Sequence, residues 1–169
     1  METPQGFADR VERWLSKIPG IRTYREREHR RETDKKLREH LAAQLQEVRT
    51  QMKNRTLVLS QKDATHSLLS ELDRFSSRTQ QMADTIRYAS YGYAGIFDLE
   101  KIREEELGRL YDFDLALMED LDRIQKTVEE IDPANPPEKW KPAIAEGFRL
   151  LDGLEKKFNQ RHDFMKKPA

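Results

Sequence analysis

Apolar residues along this chain recur three or four positions apart, the period of one helix face. Nowhere do they alternate over a length that suits a strand. Five helical segments are read from that period. The first covers residues 6–17, where Phe7, Val11, Trp14, Leu15 and Ile18 make one apolar face before Pro19 and Gly20 punctuate the chain. The second covers 23–55, with Leu37, Leu41, Leu45, Val48 and Met52 as its stripe. Ahead of that stripe, residues 25–36 hold no apolar side chain. The i,i+4 pairs Glu26/Arg30 and Glu32/Lys36 predict that the helix runs through them all the same.

The third segment covers 64–91. Leu68, Phe75, Met82 and Ala89 lie seven apart, with Leu72, Thr79 and Ile86 between them, which is a coiled-coil-like seam. The fourth covers 99–131, with Leu110, Leu117, Ile124 and Ile131 in one row and Leu107, Leu121 and Val128 in the other. Asp114 takes the remaining inward slot. Either the stripe rotates locally and leaves it at the boundary, or it is buried and paired with an arginine or lysine that sets helix register. The fifth segment follows "DPANPPEKW", where Asn135 suits the cap, Pro136 the first helical position and Glu138 the third residue after the cap. Ile144, Phe148, Leu151, Leu154 and Phe158 supply its stripe.

Short connections favour antiparallel neighbours. The expected fold is all-α: an elongated up-down-up-down bundle of four long helices with a short N-terminal amphipathic helical arm. The arm takes residues 1–22, the bundle 23–163 and a basic tail 164–169. At ~1.5 Å per residue the second and fourth segments would be roughly 50 Å long, against roughly 40 Å for the width of a compact globule of this size.

The stretch "SYGYAGIFDLEK", residues 90–101, interrupts this regularity. Much of it reads as helix-start grammar. Asp98 suits the N-cap of the fourth helix, and Phe97 and Ile102 have the spacing of a hydrophobic staple. Gly92 or Gly95 suits the left-handed end of the preceding helix. Tyr88, Tyr91 and Tyr93 are not explained that way. In the expected topology they share one end of the bundle with Trp14, Ile18 and Ile21 from the arm, Phe97 from the loop and Phe164 from the C-terminus. That set, Trp14, Ile18, Ile21, Tyr88, Tyr91, Tyr93, Phe97 and Phe164, is the candidate interaction surface; its plainer role is an aromatic plug closing the bundle.

The charge balance is even, 31 Lys+Arg against 31 Asp+Glu, with 37% of residues charged and a mean hydropathy of −0.93. The neutrality conceals an asymmetry. Residues 1–60 carry 14 basic and 9 acidic side chains, 98–131 carry 5 and 12, and 138–169 carry 8 and 5. Unlike helices packed side by side would use this internally; the rival reading is an acidic face offered to a basic partner, or a basic end offered to anionic lipid. Nucleic-acid binding is disfavoured, because "REREHRRE" has no interleaved aromatics and its arginines face glutamates.

Candidate chemistry is sparse. There is no cysteine, so disulfides and thiolate sites are excluded. A two-metal bundle site needs paired Glu-x-x-His motifs. Only Glu26-x-x-His29 and the analogue Asp63-x-x-His66 occur, and they are expected near opposite ends. A looser group of His29, Glu105 or Glu106, and His162 or Asp163 reads as a solvated helix end. No Walker motif and no triad spacing is present. The expectation is therefore a non-enzymatic interaction or scaffolding protein with no cofactor and no metal, acting on a protein partner or on itself. No segment is long enough to span a bilayer, and charged residues interrupt the apolar N-terminal residues, so a cytoplasmic location is expected. The alternative is a peripheral membrane protein using the arm. A short amphipathic segment before a long helical hairpin resembles, in layout alone, the phage-shock-type membrane-remodelling proteins.

Overall fold

The structure is a computed structural model that describes residues 4–62, 66–90 and 95–166. Among these the chain is all-helical, with six helices packed against one another and no strand. They are α1 (Pro4–Lys17), α2 (Arg27–Ser60), α3 (His66–Arg87), α4 (Gly95–Asp98), α5 (Glu104–Glu130) and α6 (Pro137–Lys166).

The stripes become the core. Leu37, Leu41, Leu45, Val48 and Met52 of α2 are buried, as are Leu68, Leu72, Phe75, Thr79, Met82 and Ile86 of α3. Leu107, Leu110, Leu117, Leu121, Ile124 and Val128 of α5 and Ile144, Leu151, Leu154 and Phe158 of α6 complete it. Side-chain contacts give the helix directions. Gln46 meets Gln80 at 3.0 Å while Arg38 reaches the carbonyls of Arg87 and Ala89, so α2 and α3 run oppositely. Asp120 meets Lys157 and Asp114 meets Arg161, so α5 and α6 also run oppositely. Gln44–Gln125 and Arg55–Ile131 lay α2 and α5 in the same direction. Phe75–Phe148 and Arg78–Glu155 do the same for α3 and α6.

The helix ends differ from expectation in several places, beginning with α2, which runs Arg27–Ser60 rather than 23–55. Asp98 does not cap the fourth long helix; it ends the one-turn helix α4 and pairs with Arg31. The long helix begins at Glu104, where the Glu106 carboxylate reaches back to accept the backbone N–H of Arg103 at 3.1 Å. Phe97 then stacks on Tyr24, ring centroids 5.7 Å apart, rather than serving as a staple residue. At the last helix, Pro137 rather than Pro136 is the first helical residue, and Asn135 closes the preceding turn with Asp132 and Glu130. Finally, Arg30 turns inward instead of pairing with Glu26. It donates to the carbonyls of Tyr24, Arg25 and Leu99 and ties the incoming chain to the segment after α4. Glu32–Lys36 does form, at 3.1 Å.

Helix α3 ends at Arg87, so Tyr88 lies just beyond it. Helix α6 runs through residue 163 to Lys166. Tyr91, Gly92 and Tyr93 lie outside the described residues, as does Asp63, while Gly95 opens α4 rather than ending α3. Much of the charge asymmetry is internal. Acidic α5 and the segment before it meet basic partners from both flanks: Arg10–Asp112, Lys17–Asp122, Arg25–Glu104, Arg31–Asp98 and Lys157–Asp120.

Candidate functional site

One end of the molecule holds a buried polar cluster built from four elements. Arg161 of α6 is fully buried, and its planar fork serves three acceptors. Nε donates to Asp114 Oδ1 of α5, Nη1 donates to Asp34 Oδ1 of α2 at 2.7 Å, and Nη2 donates to the Tyr24 hydroxyl at 3.0 Å. The Tyr24 hydroxyl in turn donates to Asp114 Oδ2 at 2.8 Å. Asp34 Oδ2 accepts from Arg38 Nε at 2.9 Å, and Arg38 Nη1 runs on to the carbonyls ending α3. Tyr111 closes the group by accepting the Tyr24 backbone N–H at 3.1 Å.

The cluster is charge-balanced, with two arginines against two aspartates. Asp114 is therefore the buried, paired residue rather than the boundary one. The pairing does not fully offset the burial of Asp114. Burial raises the Asp114 carboxyl above its ordinary value, and Arg161 recovers part of that. Burial opposes the charge on Arg161, but Asp114 and Asp34 outweigh it and hold the guanidinium well above its usual range. Burial lifts the Tyr24 phenol well above 10, with Asp114 adding to it, and lifts Tyr111 to about 12. Neither tyrosine ionises near neutrality.

A layer of aromatic rings lies over this cluster. Trp14 packs on Tyr24 and Tyr111 with centroids 5.3 and 5.2 Å apart, and Phe7 meets Tyr111 edge-on at 6.0 Å. Of the residues expected to form the interaction surface, Trp14, Ile18, Ile21 and Phe97 are buried in this region. Phe164 is half-buried against Phe113 and beneath the guanidinium of Arg109. Tyr88 stands outside the plug, 75% exposed, beside a groove lined by Lys35, Arg38, Glu39, Arg87 and Ser90. The structure thus brings together Trp14, Ile18, Ile21 and Phe97 and sets Tyr88 apart.

Sequence reasoning overlooked Tyr24, Asp34, Arg38, Tyr111 and Arg161. A signal was present. Arg30 and Asp34 continue the Leu37–Leu41 stripe backwards, and Arg161 follows Leu154 and Phe158 in the stripe of α6. Oppositely charged residues at inward registers of three helices are a buried-pair signature.

Among the described residues no three His, Asp or Glu side chains gather in a way that could hold a metal. His29 rests between Arg22 and Glu26, with Nε2 2.7 Å from Arg22 Nη1. His40 and His162 are both pushed below 6.5, first by burial. His40 lies near Lys17 and Asp122, and His162 near Lys166, Asp163, Arg161 and Asp34. A histidine that resists protonation when folded gives stability that is present above its unfolded value and lost as pH falls below it. Urea unfolding between about pH 8 and about pH 5.5, above the carboxylate range, should show falling stability. The His40→Asn/His162→Asn double variant should flatten that slope; an unchanged slope would place its origin elsewhere.

Among the described residues no helix is long and apolar enough to cross a membrane. No protein-family model, curated protein or solved structure matches this chain.

Proposed function

We propose that this chain is a non-enzymatic helical interaction protein, its four long helices forming an up-down-up-down bundle that acts as a rigid frame. The observation that carries the reading is the buried cluster. Tyr24, Asp34, Asp114 and Arg161, all buried, direct polar atoms at one another. That is the pattern of a register lock, and it moves the working surface to the exterior.

The exposed Tyr88 ring, flanked by the exposed Lys35 and Arg87, is the proposed contact. An exposed aromatic beside cations suits a protein partner carrying carboxylates and a recess for the ring. The test is affinity capture followed by cross-linking with wild type, Tyr88→Ala and Lys35→Glu/Arg87→Glu. We expect a discrete partner, or self-association seen by light scattering, that weakens about tenfold or more in both variants. A strict monomer whose captured set is the same in all three would defeat the proposal.

The peripheral-membrane alternative asks more of the molecule. Phe7 and Trp14 of α1 already pack on Tyr24 and Tyr111 and only Leu15 of its apolar face is exposed, so lipid contact through those rings requires the arm to leave its seat. Flotation on anionic vesicles that is lost in Trp14→Ala would favour it.

A further inference from the structure

The arm is held in a way that isolates it mechanically. Among the described helices, α1 packs against α5 and no other. Its seat is an apolar strip bordered by acids. Phe7 and Trp14 lie on Tyr111, while Arg10 and Lys17 pair with Asp112 and Asp122 at 3.1 and 2.9 Å. Gly108 faces the arm: a Cβ there would fall 2.9 Å from Arg10 Nη2, the movable end of a long side chain, and at an ordinary contact distance of 3.8 Å from Phe7 Cδ2. Trp14 contributes its ring but not its donor, because the buried indole N–H finds no acceptor among the described residues.

The connection to the bundle is a single tight turn. In Ile18-Pro19-Gly20-Ile21 the Ile21 N–H donates to the Ile18 carbonyl at 3.2 Å, and Gly20 has φ +73°. Pro then Gly at the two central positions is the type II pattern. Just beyond, the chain is fastened. Thr33 donates to the Arg22 carbonyl, Lys36 to that of Gly20, and Arg30 to those of Tyr24 and Arg25. Pro19 and Gly20 thus join a helix that packs on α5 alone to a fastened segment, and opening the turn releases only the Ile21–Ile18 bond and the Lys36 contact to the Gly20 carbonyl.

We propose that α1 is an exchangeable strap, and that the α5 face bearing Gly108, Tyr111, Asp112 and Asp122 docks the α1 of a second copy to give a reciprocally swapped dimer. The partner's arm fits because it is the same helix, so every contact of the closed form is remade and only the turn changes. A formal net charge of zero means that two copies meet without overall repulsion. This goes beyond the Tyr88 contact and does not rest on it, since the α1–α5 seat is a separate surface.

Charge exchange tests it. One chain carries Arg10→Asp and Lys17→Asp, the other Asp112→Arg and Asp122→Lys. Each alone has an arm repelled by its own seat; only mixed chains offer two matched arm–seat pairs, both in trans. Native mass spectrometry and light scattering should give monomers separately and, on mixing, a 1:1 species of twice the 20.0 kDa chain mass. Folded chains that stay monomeric when mixed would overturn the proposal.

Gly20→Val, with natural charges, provides a second route that does not weaken the seat. A branched side chain is strained in the closed turn but not in an opened one, so dimer association should strengthen about tenfold. Adding Gly108→Leu, which fills the seat, should abolish the gain. No dimer from Gly20→Val, or one indifferent to Gly108→Leu, also overturns it. Either failure leaves the Tyr88-dependent capture result to stand or fall by itself.

Discussion

Replacing Arg161 by methionine should cost about 3–5 kcal/mol of folding stability, seen as a lower urea midpoint. The side chain is fully buried and serves Asp114, Asp34 and the Tyr24 hydroxyl at once. Without it, Asp34 keeps Arg38, but Asp114 keeps only the Tyr24 hydroxyl and no counter-charge. Lysine should rescue little, because a single ammonium cannot reproduce a planar fork aimed at three acceptors. Asp114→Asn in the methionine background should recover part of the loss by removing the stranded charge. A pH signature distinguishes this from simple loss of packing. An Asp whose folded value lies above its unfolded one favours folding at low pH, and that contribution is lost as pH rises. Burial already raises Asp114, so the methionine variant should become relatively more stable as pH falls into the carboxylate range. A loss under about 1 kcal/mol, with no such trend, would mean that the cluster does not lock the helices.

Phe75→Ala should be comparably damaging, about 3–5 kcal/mol, because the ring is fully buried where α3 crosses α6. It meets Phe148 edge-on at 5.4 Å and lies over Gly147. A Cβ at Gly147 would fall 3.0 Å from Phe75 Cζ, a tight contact, and 2.6 Å from Cε2, closer than real Cβ atoms essentially ever come. The ring is part of the core and cannot swing aside, so Gly147→Ala should itself cost about 1–3 kcal/mol through overpacking. The two changes should not add. In the double variant the new methyl enters the space that the ring vacates, and the total should fall short of the sum by about 1 kcal/mol or more. Strict additivity would show that the ring and the glycine are not in contact.

The long helices were legible because burial imposes a period on the chain. Leu68 to Ile86 and Leu107 to Val128 occupy the inward rows their spacing assigns. The boundaries were less legible because capping is settled by competition among nearby groups. Asp98 has the chemistry of a cap, but Arg31 takes its carboxylate and Glu106 caps a later start. The polar cluster was half legible. Asp114 was visible as a carboxylate on a seam, whereas Tyr24 lies in a segment with no periodicity, and its role depends on Tyr111 and Arg161, 87 and 137 residues away.

The all-helical class, the core rows and the amphipathic arm belong to the sequence itself, since apolar spacing and helix propensity are local properties. The choice between a boundary and a buried Asp114 does not, and neither does the seat of the arm or the separation of Tyr88 from Trp14. Those depend on which charges and rings from distant segments arrive at the same place. A local pattern shows that a residue faces inward; only tertiary packing supplies the group it meets there.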